Sequence, residues 1–195
     1  MVTLQSSTQV DVVLVRPSIA EDSNLCHAFY RLRDAVFAEK YHWDESHGEE
    51  RDRYDDAAEF LLVREGGKVI AGVRAIYRAR LAPGGQLPIE EFLPGNETVP
   101  TNAVELSRMI NIGKNAIGLI LYKLIYDHWL SPGHHTELFA TLRQQFLAML
   151  KKRVEYCLFT ELQGMHKKRG SAVFIPVRIT RSDTHTLADS VTRSA

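Results

Sequence analysis

Short runs of β-branched and aromatic residues, separated by turn-forming residues, predict a series of strands. Gly66-Gly67 stands between two of these runs, and a glycine pair at such a position favours a two-residue hairpin turn with positive φ angles. The predicted strands cover residues 12–15, 60–64, 69–77, 104–110, 156–162 and 172–179.

A helix is predicted after the first strand, because Ser18 and Glu21 have capping-box spacing and an apolar stripe follows that ends near Lys40. The stripe consists of Leu25, Phe29, Leu32, Val36 and Phe37. Two further helices are predicted at about residues 116–129 and 136–153, since Ser131-Pro132-Gly133 between them would end the first. Together these two would form a helical insert.

The remaining segments predict loops and a tail. Residues 41–57 are polar, acidic and aromatic without a sustained period, which is typical of a long functional loop, and residues 82–101 are rich in proline and glycine. The order of elements predicts an α/β (α+β) mixture on a mixed, mainly antiparallel sheet. We expect one domain over residues 1–180 and a flexible tail over 181–195.

Composition indicates an ordinary soluble globular protein. The chain has 195 residues, 45% hydrophobic and 25% charged, which excludes collagen, a disulfide miniprotein and a wholly disordered chain. The net charge is zero, but residues 1–100 carry 11 basic and 17 acidic side chains, whereas residues 101–195 carry 13 and 7. An anionic partner is therefore expected at the C-terminal half.

The basic residues of that half occur in two short clusters, Lys151-Lys152-Arg153 and Lys167-Lys168-Arg169. Neither cluster has the interleaved aromatic residues or the motif of a nucleic-acid reader, so we expect no nucleic-acid partner. Solvated helix and loop faces are the alternative interpretation.

The two cysteines, Cys26 and Cys157, each stand among apolar residues, which predicts buried thiols in a reducing compartment rather than a disulfide. Residues 1–10 show no targeting signal, and no apolar run approaches the length needed to span a bilayer. We therefore expect a cytoplasmic protein without an integral membrane segment.

Several charged residues stand in segments that otherwise predict a buried core. Arg33 lies within the first helix, Arg74 interrupts an apolar strand, and residues 104–110 read Val-Glu-Leu-Ser-Arg-Met-Ile. Charges in central strands are costly unless they are paired. We therefore expect Arg74, Glu105 and Arg108 to meet the loop acids Asp52 and Asp55 in one polar cluster. A structural ion-pair network is the alternative interpretation.

These residues also carry a resemblance to a known family. The ordered set Arg33-x-x-Val36-Phe37, Trp43, Asp52-x-x-Asp55, Val73-Arg74 and Glu105-Leu106-Ser107-Arg108 resembles the acyl-homoserine-lactone synthase superfamily over about residues 25–110. This superfamily includes the related long-chain N-acyl amino acid synthases. The resemblance implies a GNAT-like acyltransferase fold, a central mixed, twisted sheet flanked by helices, and acyl transfer from acyl carrier protein.

Beyond residue 110 the sequence departs from the lactone synthases. It has the predicted two-helix insert, lacks their glycine-aromatic step after the following helix, and contains residues 164–170 before a strand. The stretch Leu87-Pro88-Ile89-Glu90 is similar to the acyl amino acid and exosortase-associated branches. We therefore favour an N-acyl amino acid synthase with tyrosine as the acceptor. The alternatives are a lactone synthase that uses S-adenosylmethionine and a non-catalytic module that binds a fatty ligand.

The donor is expected to be a loaded carrier protein rather than coenzyme A. GNAT enzymes cradle the pyrophosphate of coenzyme A on a Gln/Arg-x-x-Gly-x-Gly/Ala loop, and the sequence at residues 110–115 lacks this pattern. The resemblance implies that the phosphopantetheine arm of the carrier brings the acyl group, with no permanently bound cofactor. Steering of the acidic carrier is expected from Lys151, Lys152, Arg153, Lys167, Lys168 and Arg169.

The expected catalytic residues are Glu105, Ser107 and Arg108. Glu105 would act as the base that deprotonates the amine, and backbone N–H groups near Ser107 to Met109 would stabilise the oxyanion. Any of Arg33, Arg74 and Arg108 offers a bidentate fork for the acceptor carboxylate. The expected substrate-binding set is Arg33, Phe37, Trp43, Asp52, Asp55 and Arg74.

A dry cleft is expected for the acyl tail, lined by Ile117, Ile120, Leu121, Leu124, Phe139 and Phe146, although helix residues at this spacing also fit a plain core. No metal site is expected, because His134-His135, His42 and His47 lack cysteine or carboxylate partners at a recognised ligand spacing.

Overall fold

A computed structural model describes residues 10–41, 48–95, 97, 99–113, 115–131, 137–163, 166–169 and 172–182. Within them lie three α-helices, α1 (Ser23–Tyr41), α2 (Asn115–Ile125) and α3 (Gln144–Arg153), and α2 is followed by a short π-helix, Tyr126–Leu130. The strands are β1 (Val10–Val15), β2 (Ala58–Glu65), β3 (Lys68–Tyr77), β4 (Val104–Asn111), β5 (Glu137–Arg143), β6 (Cys157–Glu161), β7 (Lys167–Arg169) and β8 (Ala172–Arg181). Internal contacts divide the chain into two compact units, Met1–Ala75 with Arg108–Leu121, and Ile76–Ser107 with Tyr122–Ala195.

The first unit contains the predicted hairpin. Its strand order is β1-β2-β3 followed by the end of β4, and β1 is antiparallel to β2 from Val10 opposite Glu65 to Val15 opposite Phe60. Gly66 and Gly67 join β2 to β3 with φ angles of 57° and 80°. Because side chains disfavour both angles, the glycine pair fixes this turn, as the sequence predicts.

Helix α1 packs its buried face on this sheet. The rings of Phe29 and Phe60, both fully buried, lie 5.1 Å apart between centroids. A Cβ atom at Gly72 would lie 2.8 Å from both Phe29 and Leu62, so a glycine is needed where the helix approaches the strand. The helix begins later than predicted: residues 20–22 form a 3₁₀ turn, and α1 starts at Ser23.

The predicted capping box at Ser18 is therefore wrong. The Arg16 backbone N–H instead donates to Asp22 Oδ2 over 2.7 Å, so an acid six residues further on stabilises the entry to the helix. The buried stripe of α1 also differs from the predicted one, because Leu25, Leu32 and Val36 are only half-buried. The buried positions are Cys26, Phe29, Tyr30, Arg33, Asp34 and Phe37.

The second unit has the strand order β4-β5-β8-β6, and β7 pairs with the start of β8. Strand β4 runs parallel to β5, from Val104 opposite Leu138 to Leu106 opposite Ala140, whereas the pairs of β8 with β5, β6 and β7 are antiparallel. This confirms the predicted mixed, mainly antiparallel sheet flanked by helices.

The predicted helix over residues 136–153 is wrong in its first half. Residues 137–143 form β5, which is bonded to β4 on one side and to β8 on the other, and the helix starts only at Gln144. A short apolar run is compatible with the helical period of about 3.6 residues and with the strand period of two. Hydrogen bonding to a neighbouring strand on each side makes this segment a strand. Among the described residues of this region, a strand therefore stands where the sequence predicted the start of the second helix of an insert.

The C-terminal strands differ from the prediction in two places. Lys167–Arg169 was not predicted as a strand, since lysine and arginine are not typical strand formers, yet it pairs with β8 from Lys167 opposite Phe174 to Arg169 opposite Ala172. Strand β8 continues to Arg181, and the Ser182 backbone N–H donates to the Tyr156 carbonyl over 3.0 Å. Residues 183–195 of the predicted tail lie outside the described residues.

Both cysteines are buried free thiols, as the sequence predicts. Burial raises the pKa of Cys26 to about 11, with the nearby charges of Asp22 and Asp55 adding to the effect. Burial also raises the pKa of Cys157 to about 12. A raised pKa keeps a thiol protonated and unreactive at neutral pH. Among the described helices, none combines the length and the apolar character needed to cross a bilayer.

Candidate active site

The first unit contains a network of three arginines and three acids. Arg33, on the buried face of α1, donates from Nη1 to Asp55 Oδ1 over 2.8 Å and also pairs with Glu50. Both Arg33 and Asp55 are fully inaccessible to solvent. The guanidinium of Arg33 also lies 5.5 Å from the centroid of the Tyr30 ring. Ion pairs and a cation–π contact therefore both stabilise this buried charge.

Arg74 brings the same network onto strand β3. Its Nη1 donates to Asp52 Oδ1 over 2.6 Å and to Asp55 Oδ1 over 2.9 Å. The Asp55 carboxylate is fixed from its own loop as well, since Oδ2 accepts the Asp52 backbone N–H over 2.8 Å. A local turn in which Asp52 Oδ1 accepts the Tyr54 N–H holds the two acids at this spacing.

Arg108 forms the solvent-accessible end of the network. Its Nε and Nη2 lie 3.0 and 2.8 Å from Glu50 Oε1, and Nη2 lies 3.3 Å from Asp52 Oδ2. The side chains of Arg108, Glu50 and Asp52 are 27%, 24% and 26% exposed, whereas those of Arg33 and Arg74 are at most 1% exposed. We call Arg108, Glu50 and Asp52 the accessible edge.

The backbone at Arg108 has an unusual conformation. Its φ is +52°, and it is the one non-glycine residue with a positive φ in the part of the chain that the structure describes. Such a conformation costs about 1–3 kcal/mol in a non-glycine residue, and strained residues of this kind cluster at functional sites. The guanidinium lies 5.5 Å from the centroid of the Phe37 ring, which supports one side of it.

Charge pairing decides the ionisation of this network. Burial raises the pKa of Asp52, but the charge and hydrogen bond of Arg74, together with the Tyr54 N–H and Arg108, outweigh it and leave the pKa below its usual value. For Arg74, burial lowers the pKa, yet Asp52 and Asp55 raise it above its ordinary value. Both partners are therefore charged at neutral pH.

The structure thus brings together five of the predicted residues: Arg33, Asp52, Asp55, Arg74 and Arg108, with Phe37 beside the last of them. The sequence prediction missed Glu50, which pairs with two of the arginines. Glu50 is one of five acids in residues 49–56, and the sequence alone gives no signal that distinguishes it from the others. Trp43 lies outside the described residues.

Glu105 and Ser107 belong to the second unit. Glu105 is buried, and its Oε2 accepts the Ile89 backbone N–H over 2.8 Å. Val104 and Leu106 on either side are also buried, so β4 is covered on both faces at this point and shows no alternation of buried and exposed residues. Ser107 is half-buried.

The predicted acyl-chain residues do not share one environment. Ile117 and Leu121, in the first unit, and Phe139, in the second, are buried, while Leu124 and Phe146 of the second unit are half-buried. Ile120 is 43% exposed, so in this structure it contributes to an open surface rather than to a dry interior.

The turn between β4 and α2 is held by its own side chains. Asn111 Oδ1 accepts the Gly113 backbone N–H over 2.9 Å, and a Cβ atom at Gly113 would lie 2.4 Å from Ile117 Cδ1. Glycine at this position lets the turn pack closely on α2, and a side chain there would require Ile117 to move. Lys114 lies outside the described residues.

Lys151, Lys152 and Arg153 are exposed at the C-terminus of α3, where basic side chains also favour the helix dipole. Lys151 Nζ lies 2.7 Å from Glu161 Oε1. The α3 surface holds a groove of about 300 Å³, lined by Gln145, Ala148, Met149, Lys152 and Arg153. The residues of the second basic cluster, Lys167–Arg169, form strand β7.

Within the described residues no three histidine, cysteine, aspartate or glutamate side chains form a group that could hold a metal ion. The four histidines considered from the sequence, His42, His47, His134 and His135, lie outside these residues.

Comparison with known proteins gives a partial match at the family level. Residues 18–82 match the family model described as autoinducer synthase. The matched segment contains Arg33, Asp52, Asp55 and Arg74, but it is about a third of the chain. A comparison with curated protein sequences found no match.

Solved structures match over most of the chain. BjaI, a CoA-dependent acyl-homoserine lactone synthase solved with SAM and isopentyl-CoA, is similar at a TM-score of 0.72 and 18% identity, covering 90% of this chain and 85% of BjaI. The AHL synthase LasI matches at a TM-score of 0.65 and 23% identity, covering 89% of this chain and 91% of LasI.

An acyl-CoA N-acyltransferase from Pseudomonas aeruginosa matches at a TM-score of 0.56 and 13% identity, covering 87% of this chain and 99% of that enzyme. These likenesses confirm the predicted GNAT-like acyltransferase fold.

Proposed function

We propose that the protein is an N-acyltransferase that moves a long-chain fatty acyl group from acyl carrier protein to the α-amine of an amino acid, with tyrosine as the first acceptor to test. The acyltransferase-type fold and the match of residues 18–82 support acyl transfer. The accessible edge supports a zwitterionic acceptor, and it is the observation that carries the proposal.

An amino acid fits the accessible edge by charge. Its carboxylate would bind the guanidinium of Arg108, and its ammonium would bind Glu50 or Asp52. Since a zwitterion brings one charge of each sign, it can exchange partners with the existing ion pairs and leave no charge unpaired. Arg33 and Arg74 are buried and already share Asp55, so Arg108 is the arginine that we assign to the acceptor carboxylate.

The reaction would join the amine to the acyl carbonyl carbon. The amine must be neutral before it attacks, so the ammonium first loses a proton, for which Glu105 is the proposed base. The neutral amine then attacks the thioester, and a tetrahedral oxyanion forms. Backbone N–H groups near Ser107 to Met109 would stabilise that oxyanion, an effect of about 3 kcal/mol per donor. Collapse of this intermediate breaks the carbon–sulfur bond, releases the carrier thiol after proton transfer from the new nitrogen, and leaves the amide.

The proposed donor is an acidic carrier protein, and the exposed basic end of α3 supports it. Lys152 and Arg153 line the α3 groove beside Met149 and Ala148, so an acidic partner would find both charge and apolar surface there. The acyl group would arrive on the phosphopantetheine arm of the carrier, which is part of the substrate rather than a resident cofactor.

A lactone synthase that uses S-adenosylmethionine is the second candidate. It is favoured by the match of residues 18–82 and by strand β5, because residues 137–143 are extended where the sequence had predicted a helix that would depart from that family. S-adenosylmethionine also carries an α-amino acid moiety, so the accessible edge would accept either molecule.

The deciding experiment is product analysis with purified protein. Acyl carrier protein and coenzyme A, each loaded with the same fatty acyl group, are incubated with tyrosine, with other amino acids or with S-adenosylmethionine, and products are identified by mass. We expect N-acyl tyrosine from the loaded carrier. Release of methylthioadenosine would establish the second candidate instead. No acyl product with any acceptor, together with a co-purifying lipid, would favour the non-catalytic binding module.

A further inference from the structure

The second unit holds Glu105 in a closed ring of hydrogen bonds that the proposed reaction does not by itself require. Three hydrogen bonds and the chain between them make up the ring. Glu105 bonds to the Ile89 N–H, and Ile89 lies in the 3₁₀ turn Pro88–Phe92 together with Glu90. Glu90 bonds to the Arg78 side chain, and the Arg78 backbone bonds to Ala103, two residues before Glu105. We infer that Glu90, held by Arg78, is a positioning residue for Glu105. This inference rests on the proposed role of Glu105 as the base.

Glu90 fixes the turn from within. Its Oε2 accepts the Leu87 backbone N–H over 2.7 Å and also accepts a hydrogen bond from Arg78 Nη1. The side chains of Arg78 and Glu90 are partly buried, so water screens this pair less than it would a pair on the surface. Leu87 and Ile89 are both fully buried, which ties the turn to the core on either side of Pro88.

The same turn presents one backbone donor to Glu105. The first N–H groups of a helical turn have no partner inside it, and Pro88 has no N–H at all. The remaining donor, Ile89 N–H, points to Glu105 Oε2 over 2.8 Å. The direction of this N–H is set by the turn, and the turn is set by Glu90.

Arg78 closes the ring on the strand that carries Glu105. Its backbone N–H donates to the Ala103 carbonyl over 3.0 Å, and Ala103 precedes β4 directly. The guanidinium that holds Glu90 is therefore anchored at the start of the same strand. A change at Glu90 is transmitted to the Glu105 carboxylate through the Ile89 N–H, without contact between Glu90 and a substrate.

A double-mutant cycle tests this positioning role. We expect Glu90→Ala to lower kcat about tenfold while KM for donor and acceptor changes less than about twofold, because a misoriented base slows the proton transfer without weakening binding. Glu90→Gln keeps an acceptor for the Leu87 N–H and should recover part of the lost kcat. Glu91→Ala, at the exposed neighbouring glutamate, is the matched control and should leave kcat unchanged.

The second arm of the cycle is made in the Glu105→Gln background. If Glu90 acts through Glu105, Glu90→Ala causes no further fall in kcat there, whereas a purely structural role gives the same tenfold factor in both backgrounds. Equal factors, or a Glu90→Ala variant with the kcat of the control, would overturn the inference.

Hydrogen exchange at the Ile89 amide gives a readout that needs no substrate. We expect Glu90→Ala to speed its exchange about tenfold relative to Glu91→Ala, as the turn loses its clamp. Unchanged exchange would overturn the inference even if the enzyme is active. If the wild-type protein forms no acyl product but the exchange rate rises, the proposed function fails, and Glu90 keeps only the task of ordering the turn.

Discussion

Arg33 and Arg74 donate to the same oxygen, Oδ1 of Asp55, over 2.8 and 2.9 Å. One arginine comes from α1 and the other from β3, so this carboxylate neutralises two buried cations that would otherwise repel each other across the helix–sheet interface. The stability of the first unit depends on that shared oxygen.

Asp55→Asn should therefore be strongly destabilising. The amide keeps the shape but removes the negative charge, and breaking a buried ion pair in this way costs about 3–5 kcal/mol. Chemical denaturation at neutral pH measures the loss in the free energy of unfolding. The matched control is Asp56→Asn at the next residue, whose carboxylate is 73% exposed and pairs with Arg51 on the surface. A loss at Asp55 no larger than that at Asp56 would contradict the buried-pair interpretation.

Arg108→Lys should weaken binding of the acceptor. Lysine keeps the positive charge but loses the planar fork, so KM for the amino acid is expected to rise about tenfold with little change in KM for the acyl donor. Steady-state kinetics with each substrate varied in turn gives both values. Arg51→Lys, at an exposed arginine outside the network of three arginines and three acids, serves as the control. A rise confined to the donor KM would reassign Arg108.

Glu105→Gln should leave the fold intact and lower turnover by at least about tenfold, since the amide still accepts the Ile89 N–H but cannot take a proton. Circular dichroism and thermal unfolding check the fold, and single-turnover kinetics checks the chemical step. Turnover equal to that of the wild type would remove Glu105 from the role of base.

Charge reversal of Lys151, Lys152 and Arg153 to glutamate should raise KM for the loaded carrier about tenfold, chiefly through slower association. The same variant should use the matching acyl-coenzyme A as the wild type does, if that thioester is accepted at all. Lys68→Glu, at the exposed first residue of β3, is a charge-reversal control outside α3. An unchanged carrier KM would separate this cluster from docking.

Acid should destabilise the wild-type protein through Asp52. The pKa of Asp52 in the folded state lies below its ordinary value of 3.8. Its contribution to stability is therefore complete above about pH 4 and is lost as the pH falls through the lowered value. We expect the free energy of unfolding of Asp52→Asn to fall less steeply between about pH 4 and pH 2 than that of the wild type. Parallel curves would contradict this assignment.

The sequence predicted those parts of the fold that a local signal specifies. Two consecutive glycines predicted the hairpin between β2 and β3. The requirement that charges in central strands be paired predicted a cluster of Arg74, Glu105 and Arg108 with Asp52 and Asp55. Within the first unit, Arg74 pairs with both acids and Arg108 pairs with Asp52. These predictions required only the conformation that glycine allows and the sign and expected burial of each charged side chain.

The errors arose where tertiary pairing outweighs local pattern. Residues 137–143 fit a helix as well as a strand, and only the neighbouring β4 and β8 make them extended. Glu50 resembles the other acids of its loop, and its importance depends on where α1 places Arg33. The hydrogen bond between Ile89 and Glu105 joins residues 16 positions apart through a backbone donor, which no side-chain pattern reveals.

At Arg108 the positive φ favours glycine, whereas the ion pairs of the network need a guanidinium. Glycine would relax the backbone there at no steric cost. It would also remove the guanidinium of Arg108, which is the solvent-accessible one among the three arginines of the network. Alanine would keep the tension and lose the cation. A relaxed backbone and a cation are thus opposed at a single residue. If Arg108 binds the acceptor carboxylate as proposed, a substitution that stabilises the fold at position 108 would weaken that binding.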